Sequence, residues 1–398
     1  MTTRRYLMIV VIAFALYIPA LSACGSSDED GDGTRDDCTL FDNLDDRSHL
    51  DDPCYLVQRR QVVDDRTLSV APGTIVYFED RAGLHIDGQA SLKIEGTADD
   101  PVTFRGHSDR FGAWRGLHIT APGPHQLDHL HLRGGGDDRW DLTEPFTQAG
   151  LLVGHPDADL SLRHAHLSFN AGAALSATAG ASLTIEASHF HDNDLPLRIT
   201  PHQLQALGPD NHFQDNRHHA ITLHVDTDAP LTDDAHWPAL DVPLRLDDVL
   251  TVEASLHIDA PNTLLFGRHA GLDVGDGGRL LVDAHLDEPV TFRGTTDDAG
   301  HWRGLRIHAS NPLAPSRLAG VEILHGASQR WDPNWSNSQA NLLIHKGGHL
   351  HLSDALIAHS DYHGISVRDA TLQGCDDVQY DSNRRHDRHH YDGDDVCF

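Results

Sequence analysis

The feature that most limits what this chain can fold into is repetition on two length scales. Pro101-Val-Thr-Phe-Arg-Gly106 recurs as Pro289-Val-Thr-Phe-Arg-Gly294, and Trp114-Arg-Gly-Leu117 recurs as Trp302-Arg-Gly-Leu305, both 188 positions on. Arg139-Trp140 matches Arg330-Trp331, and Asn193 matches Asn383, at nearly the same offset. A block near residues 62–200 is therefore duplicated near 250–388, with small loop insertions between landmarks. A finer step of 23 runs inside the block. It puts Leu167, Phe190 and Phe213 in one row and Asn170, Asn193 and Asn216 in another; Ile357 and Tyr380, and Ser360 and Asn383, repeat it in the second block.

Between these landmarks the pattern alternates, as in Leu92-Lys-Ile94, Leu117-His-Ile119, Leu130-His-Leu132 and Leu350-His-Leu352. Alternation with period two predicts short strands buried on one face. Short strands plus a step near 23 residues predict an all-β parallel β-helix, a solenoid in which like side chains stack one coil apart at about 4.8 Å. A β-sandwich has no reason to keep such a ladder. Stacked Asn amides can bond from coil to coil at a corner where the backbone ladder is interrupted.

Charge excludes one class of partner. The 60 acidic residues (52 Asp, 8 Glu) outnumber the 30 basic ones (28 Arg, 2 Lys), so no cationic surface for nucleic acid is available. Glu and Lys are scarce, which disfavours long helices. An acidic, Lys-poor surface also suits high salt, where carboxylate repulsion is screened.

The first residues read as an export signal: basic residues at 4–5, an apolar run over 7–21, then Leu21-Ser-Ala-Cys24. The run is shorter than the roughly 20 residues a membrane-spanning helix needs. The Leu-Ser-Ala-Cys form resembles a bacterial lipoprotein signal. That resemblance implies cleavage before Cys24, lipidation of Cys24, and, with Gly25 and Ser26 following, an outer-membrane address on its periplasmic or outer side. Residues 24–37 are then an acidic tether. Export permits disulfides. Cys38 with Cys54 and Cys375 with Cys397 are expected as local staples at the two ends; four free thiols are the alternative. The separation of 22 between Cys375 and Cys397 is close to one coil, within disulfide reach.

The segments Thr67-Leu-Ser-Val-Ala-Pro-Gly-Thr-Ile-Val-Tyr-Phe78, Leu92-Lys-Ile-Glu-Gly-Thr97, Pro101-Val-Thr-Phe and Trp114-Arg-Gly-Leu resemble those of secreted bacterial right-handed parallel β-helix repeat proteins of the pectin-lyase-like class. The likeness spans roughly 54–227 and 242–390. It implies a right-handed solenoid and leaves function open, because the group holds both enzymes and adhesins. The expected organisation is a signal at 1–23, the tether at 24–37, a first block at 38–227, a connecting segment at 228–248 and a second block at 249–398.

Candidate chemistry is sparse. Arg105, Trp114 and Arg115, duplicated as Arg293, Trp302 and Arg303, form either a carbohydrate platform, with Trp stacking on sugar and Arg holding carboxylates, or a structural corner with Arg paired to Asp. Asp192 and Asp215 stack at 23 and are candidates for calcium; ordinary turn aspartates are the alternative. His166, His189 and His212 stack outward, and two adjacent rungs are candidates for zinc or copper. The tail at 383–395 mixes His with carboxylates without fixed spacing. No catalytic residue and no organic cofactor is identified; Gly134 to Gly136 reads as a turn. The expected role is binding or structural, toward glycan or an envelope protein, with a polysaccharide lyase or glycoside hydrolase as one alternative and metal capture by the stacked histidines as another.

Overall fold

The computed structural model describes residues 38–41, 47–143 and 146–390. Cys24, the 1–23 signal, the 24–37 tether and Cys397 lie outside the described residues. Among these residues no helix is long and apolar enough to cross a membrane. The chain from Cys38 onward is one unit, a parallel β-helix in which every strand-to-strand ladder is parallel.

Each full coil of the first block supplies a strand to each of three sheets. Sheet one includes Ile75–Phe78, Val102–Gly106, Leu130–Arg133, His166–Ser168, His189–His191 and His212–Gln214. Sheet two includes Thr67–Val70, Ser91–Glu95, Gly123–Asp128, Ala158–Arg163 and Ser182–Glu186. Sheet three runs from Gln61–Asp64 through Gly83–Asp87, Gly116–Ile119, Ala149–Val153, Ala173–Ala177 and Leu195–Ile199 to Ile221–Leu223. The step of 23 holds in the plain coils: Leu167 lies beside Phe190, and Phe190 beside Phe213. Two coils are longer. Leu84 pairs with Leu117 and Leu117 with Leu151, because loops 107–115 and 134–148 are inserted between sheets one and three.

Alternation sends one side chain of each pair inward. Tyr55, Val76, Phe104, Leu132, Leu167, Phe190 and Phe213 form one continuous buried row along sheet one. The rings of Phe190 and Phe213 stack at 5.3 Å. The Asn row lies at the corner after this sheet. Asn170 Nδ2 donates to Asn193 Oδ1 (2.8 Å), and Asn193 Nδ2 donates to Asn216 Oδ1 (3.0 Å) and to the Leu167 carbonyl (2.8 Å). The backbone N–H groups of Asn170 and Asn193 donate to the amide oxygen one coil on. Each corner turns through a left-handed residue just before its Asn: Phe169, Asp192 and Asp215. Asp192 and Asp215 therefore have a backbone task, since Asp tolerates this conformation better than most residues.

The connecting segment expected at 228–248 is not a linker. Leu244–Leu246 pairs with Ile221–Leu223 below and Leu264–Phe266 above, and Ala235–Trp237 pairs with Leu256–Ile258. The reason is packing: Leu231, Ala235, Trp237, Leu244 and Leu246 carry the core through the junction.

This junction changes the phase of the duplication. In the first block Val102–Gly106 belongs to sheet one, but its copy Val290–Gly294 pairs with Asn262–Phe266, which continues sheet three through Leu244–Leu246. The copies of the sheet-three strands, Gly271–Val274 and Gly304–His308, lie in a separate sheet with Val249–Val252, Ala340–His345, His363–Arg368 and His386–His390. The second block is thus turned by one face about the solenoid relative to the first.

The first staple forms as expected. Cys38 is bonded to Cys54 with their Cα atoms 4.9 Å apart, one coil spacing. Cys375 is also disulfide-bonded; Cys397, its expected partner, lies outside the described residues. The Asn ladder should matter as much as the apolar rows. Asn193 is fully buried, and Asn193→Ala strands several backbone groups, so unfolding free energy should fall by about 2–4 kcal/mol. Phe190→Ala should cost about 3–5 kcal/mol. Urea denaturation checks both, and an unchanged midpoint for Asn193→Ala would remove the ladder from the account of stability.

Candidate functional site

The expected carbohydrate platform is not where the repeated Trp-Arg-Gly-Leu motif put it. Trp114 and Trp302 are both 0% exposed. Trp114 stacks on Phe78 at 3.9 Å and donates its indole N–H to the Arg133 carbonyl at 2.8 Å. Trp302 stacks on Phe266 at 4.4 Å and donates to the Leu324 carbonyl at 2.7 Å. Neither can touch a sugar; both close a coil corner. Arg105 pairs with Asp109, and Arg293 with Asp297, inside their own loops.

Arg115 and Arg303 lead to a different pair of indoles. Arg115 donates to the Arg139 carbonyl (2.8 Å) and lies 4.7 Å from the Trp140 ring. Arg303 donates to the Arg330 carbonyl (2.8 Å) and lies 4.3 Å from the Trp331 ring. Loop 134–148 lays Trp140 across the outer side of sheet three, and loop 325–339 does the same with Trp331 on the equivalent sheet of the second block. Glycine permits this. A Cβ on Gly83 would sit 2.9 Å from Trp140, and one on Gly271 would sit 3.0 Å from Trp331. The signal for these indoles was in the Arg-Trp repeat.

Beneath the two indoles the copies diverge. The outward row of sheet three reads His85, His118, Leu152, Ser176, Arg198, Thr222. The matching row of the second block reads Asp273, Arg306, Leu343, Ser366, His389. In the second block Arg306 and His308 both engage the Asp273 carboxylate. Burial opposes ionisation of Asp273, but the hydrogen bonds from His308 and Arg306 hold its carboxyl below the usual range. Trp331, Trp335 and Leu343 pack together over this ion pair, so the second copy is filled by its own side chains.

The first copy is open. His85 and His118 stack at 4.8 Å, and Trp140 lies 4.8 Å from His118. Arg60 contacts His85 Nδ1, and because arginine only donates, the imidazole proton sits on Nε2, which contacts Thr120 Oγ1 at 2.7 Å. Burial, reinforced by Arg60, lowers the His85 pKa; burial, reinforced by His85, pushes His118 down to about 3. Both rings are neutral at pH 7. Further along the row a cavity of about 630 Å³ is lined by Trp140, Phe146, Leu152, Arg198, His224, Val225 and Leu231, among others. Arg198 Nε is buried without a hydrogen-bond partner, and the guanidinium lies 5.0 Å from the Phe146 ring. Burial lowers its pKa against the opposing pull of Asp194, yet an arginine stays charged. The cavity therefore holds a cation with donor capacity to spare.

The histidine ladder forms as expected and is longer. His131 joins His166, His189 and His212 in register on the outer side of sheet one. The His166 and His189 rings are stacked 4.7 Å apart and within 2° of parallel. The His189 and His212 rings lie 4.9 Å apart and are tilted by 45°. Zinc needs each donor nitrogen at about 2.0–2.1 Å and in the plane of its ring, so a stacked pair must turn its rings out of the stack to share an ion. Among the described residues, the three-ligand clusters lie elsewhere, at Asp128, His129 and His164 and at His236, His257 and Asp259. Asp192 and Asp215 are in neither; Asp192 pairs with His191.

No family model matches the chain, and no curated protein or solved structure does.

The ladder has a consequence for stability. Burial, then neighbouring imidazoles, lowers the pKa of His131, His166 (to about 4) and His189. His345 is lowered to about 4 and His363 to about 3, again chiefly by burial. In the unfolded chain these groups protonate near pH 6.5. Between the two values the unfolded state binds more protons, so stability is full above about pH 6.5 and is lost as pH falls toward 4. Melting temperature should drop between about pH 7.5 and about pH 5, and His166→Gln should shrink the drop. A flat or rising profile would contradict the buried, neutral state of these rings.

Proposed function

We propose that this chain is an envelope lipoprotein, held at the outer membrane through Cys24, that binds a carboxylate-bearing carbohydrate in the cavity beside Trp140. The observation that carries the proposal is Arg198, a buried guanidinium without a hydrogen-bond partner on Nε in an aromatic-walled cavity. Planar bidentate donors suit carboxylates, and indole and phenyl faces suit the apolar faces of sugar rings. The resemblance to secreted β-helix repeat proteins, with their extended surfaces, supports the same reading. The net charge of −30 does not forbid an acidic ligand, since charges beyond about 8 Å are screened at physiological ionic strength.

Binding is favoured over polysaccharide cleavage by the state of the cavity's carboxylates. Asp141 accepts from the backbone and hydroxyl of Thr143, and Asp226 accepts from the backbone of Asp228. Both cap their own turns, so their oxygens are already engaged by backbone and hydroxyl donors.

Calorimetry with acidic and neutral oligosaccharides of equal length tests this. Acidic oligomers should bind, neutral ones at least tenfold more weakly, and Arg198→Gln should cost the acidic ligand about 10–100-fold, equivalent to about 1.5–3 kcal/mol. Trp140 fluorescence should respond to ligand. Absence of heat with every oligomer would end the carbohydrate reading, and release of unsaturated or new reducing ends would replace it with a lyase or hydrolase.

A further inference from the structure

We propose that His236, His257 and Asp259 form a divalent transition-metal site, with zinc as the natural occupant, which ties together the two coils at the junction of the blocks. Alternation sets the three side chains on one face. In Ala235–Trp237 the flanking Ala235 and Trp237 point into the core, and in Ser255–Ile258 so do Leu256 and Ile258. His236 and His257 must then point outward, and the two strands pair in register with His236 beside His257. Asp259 stands two positions beyond His257, and its backbone N–H still donates to the Trp237 carbonyl (2.9 Å), so its side chain shares that face.

The donor atoms converge. His236 Nε2 lies 2.8 Å from Asp259 Oδ2, and His257 Nε2 lies 3.8 Å from Asp259 Oδ1. One ligand atom from each residue lies within 4.8 Å of the other two. Three donors on one zinc with bonds near 2.0–2.1 Å stand about 3.3 Å apart, so the present separations straddle the required one. The rings are stacked at 4.9 Å, and histidine χ2 is a broad torsion, so each ring can turn its nitrogen toward the carboxylate. This separates the site from the sheet-one ladder, where, among the described residues, His166, His189 and His212 belong to no three-ligand cluster with a carboxylate. All three side chains are more than a third exposed, which leaves the fourth position to water. Two imidazoles and one carboxylate suit zinc, nickel and copper(II) rather than magnesium or calcium.

The place gives the site a task. His236 belongs to the coil in which the phase of the duplication changes, where Ala235–Trp237 is only three residues long. A metal bridging His236 to His257 would clamp that short strand to the next coil.

The test is titration of the purified, chelator-treated protein with zinc by calorimetry, and with cobalt(II) by its visible absorption. Wild type should bind with a dissociation constant in the micromolar range or below, and saturating zinc should raise the melting temperature. His257→Ala and, separately, Asp259→Asn should weaken the tightest site at least tenfold and abolish the rise in melting temperature. His189→Ala, in the ladder, should leave both unchanged. Because the substituted side chains are exposed, apo circular dichroism and melting should match wild type, and His236→Gln provides a second variant should one of these fail to fold. Failure of wild type to bind zinc, or unchanged affinity in His257→Ala and Asp259→Asn, would overturn the proposal. The experiment is independent of the carbohydrate cavity.

Discussion

Every level of this structure rests on the parallel ladder that brings side chains one coil apart into contact. The ladder acts through two kinds of row. Apolar rows such as Leu167, Phe190 and Phe213 remove surface from water. The Asn row supplies polar bonds at the corner, where the backbone turns through left-handed residues and cannot complete the ladder itself. A buried amide that gives and takes at each coil is satisfied only if the neighbouring coil carries the same residue at the same place. That requirement explains why the step of 23 is kept so strictly in the plain coils, and why the longer coils confine their extra residues to loops.

The same constraint spreads beyond the core. Outward residues stack as faithfully as inward ones, so a histidine repeated at the coil step becomes a stack of rings rather than a chelate. Chemistry needs a different group beside the stack. Asp259 places a carboxylate beside the stacked His236 and His257 rings, and on sheet three a long loop lays Trp140 across the row. The two Trp-covered rows show how little change separates a filled surface from a cavity: Asp273 and Arg306 neutralise each other under Trp331, whereas their first-block counterparts His85 and His118 are two neutral rings. Further along the same first-block row, Arg198 is left without a carboxylate in hydrogen-bond contact.

Turning the second block by one face separates the two copies of the Arg-Trp feature. Duplication on a solenoid normally repeats a feature along one side. Here the coil around 235–246 moves the register by one sheet, so Trp140 and Trp331 occupy different sheets and do not form one extended platform. The row beside Trp140 opens into a cavity, while the row beneath Trp331 is filled by its own side chains.

The sequence by itself determined the fold class, the coil step, the inward rows, the Asn ladder, the Cys38 to Cys54 staple and the outward histidine row. All but the staple are local consequences of alternation and repetition, which record which residues lie beside which; the staple follows from pairing neighbouring cysteines. It did not determine which of the duplicated tryptophans closes a coil corner and which lies across the outer side of a sheet, because Trp114 and Trp140 both sit in loops where period two is lost. It did not reveal that 228–248 is a coil, since its strands are three residues long, nor that Arg198 Nε is buried without a hydrogen-bond partner. Those facts depend on how loops from distant coils fold back over a sheet. Only the tertiary structure decides that, because the energy of such a contact belongs to residues whose separation in the chain carries no period.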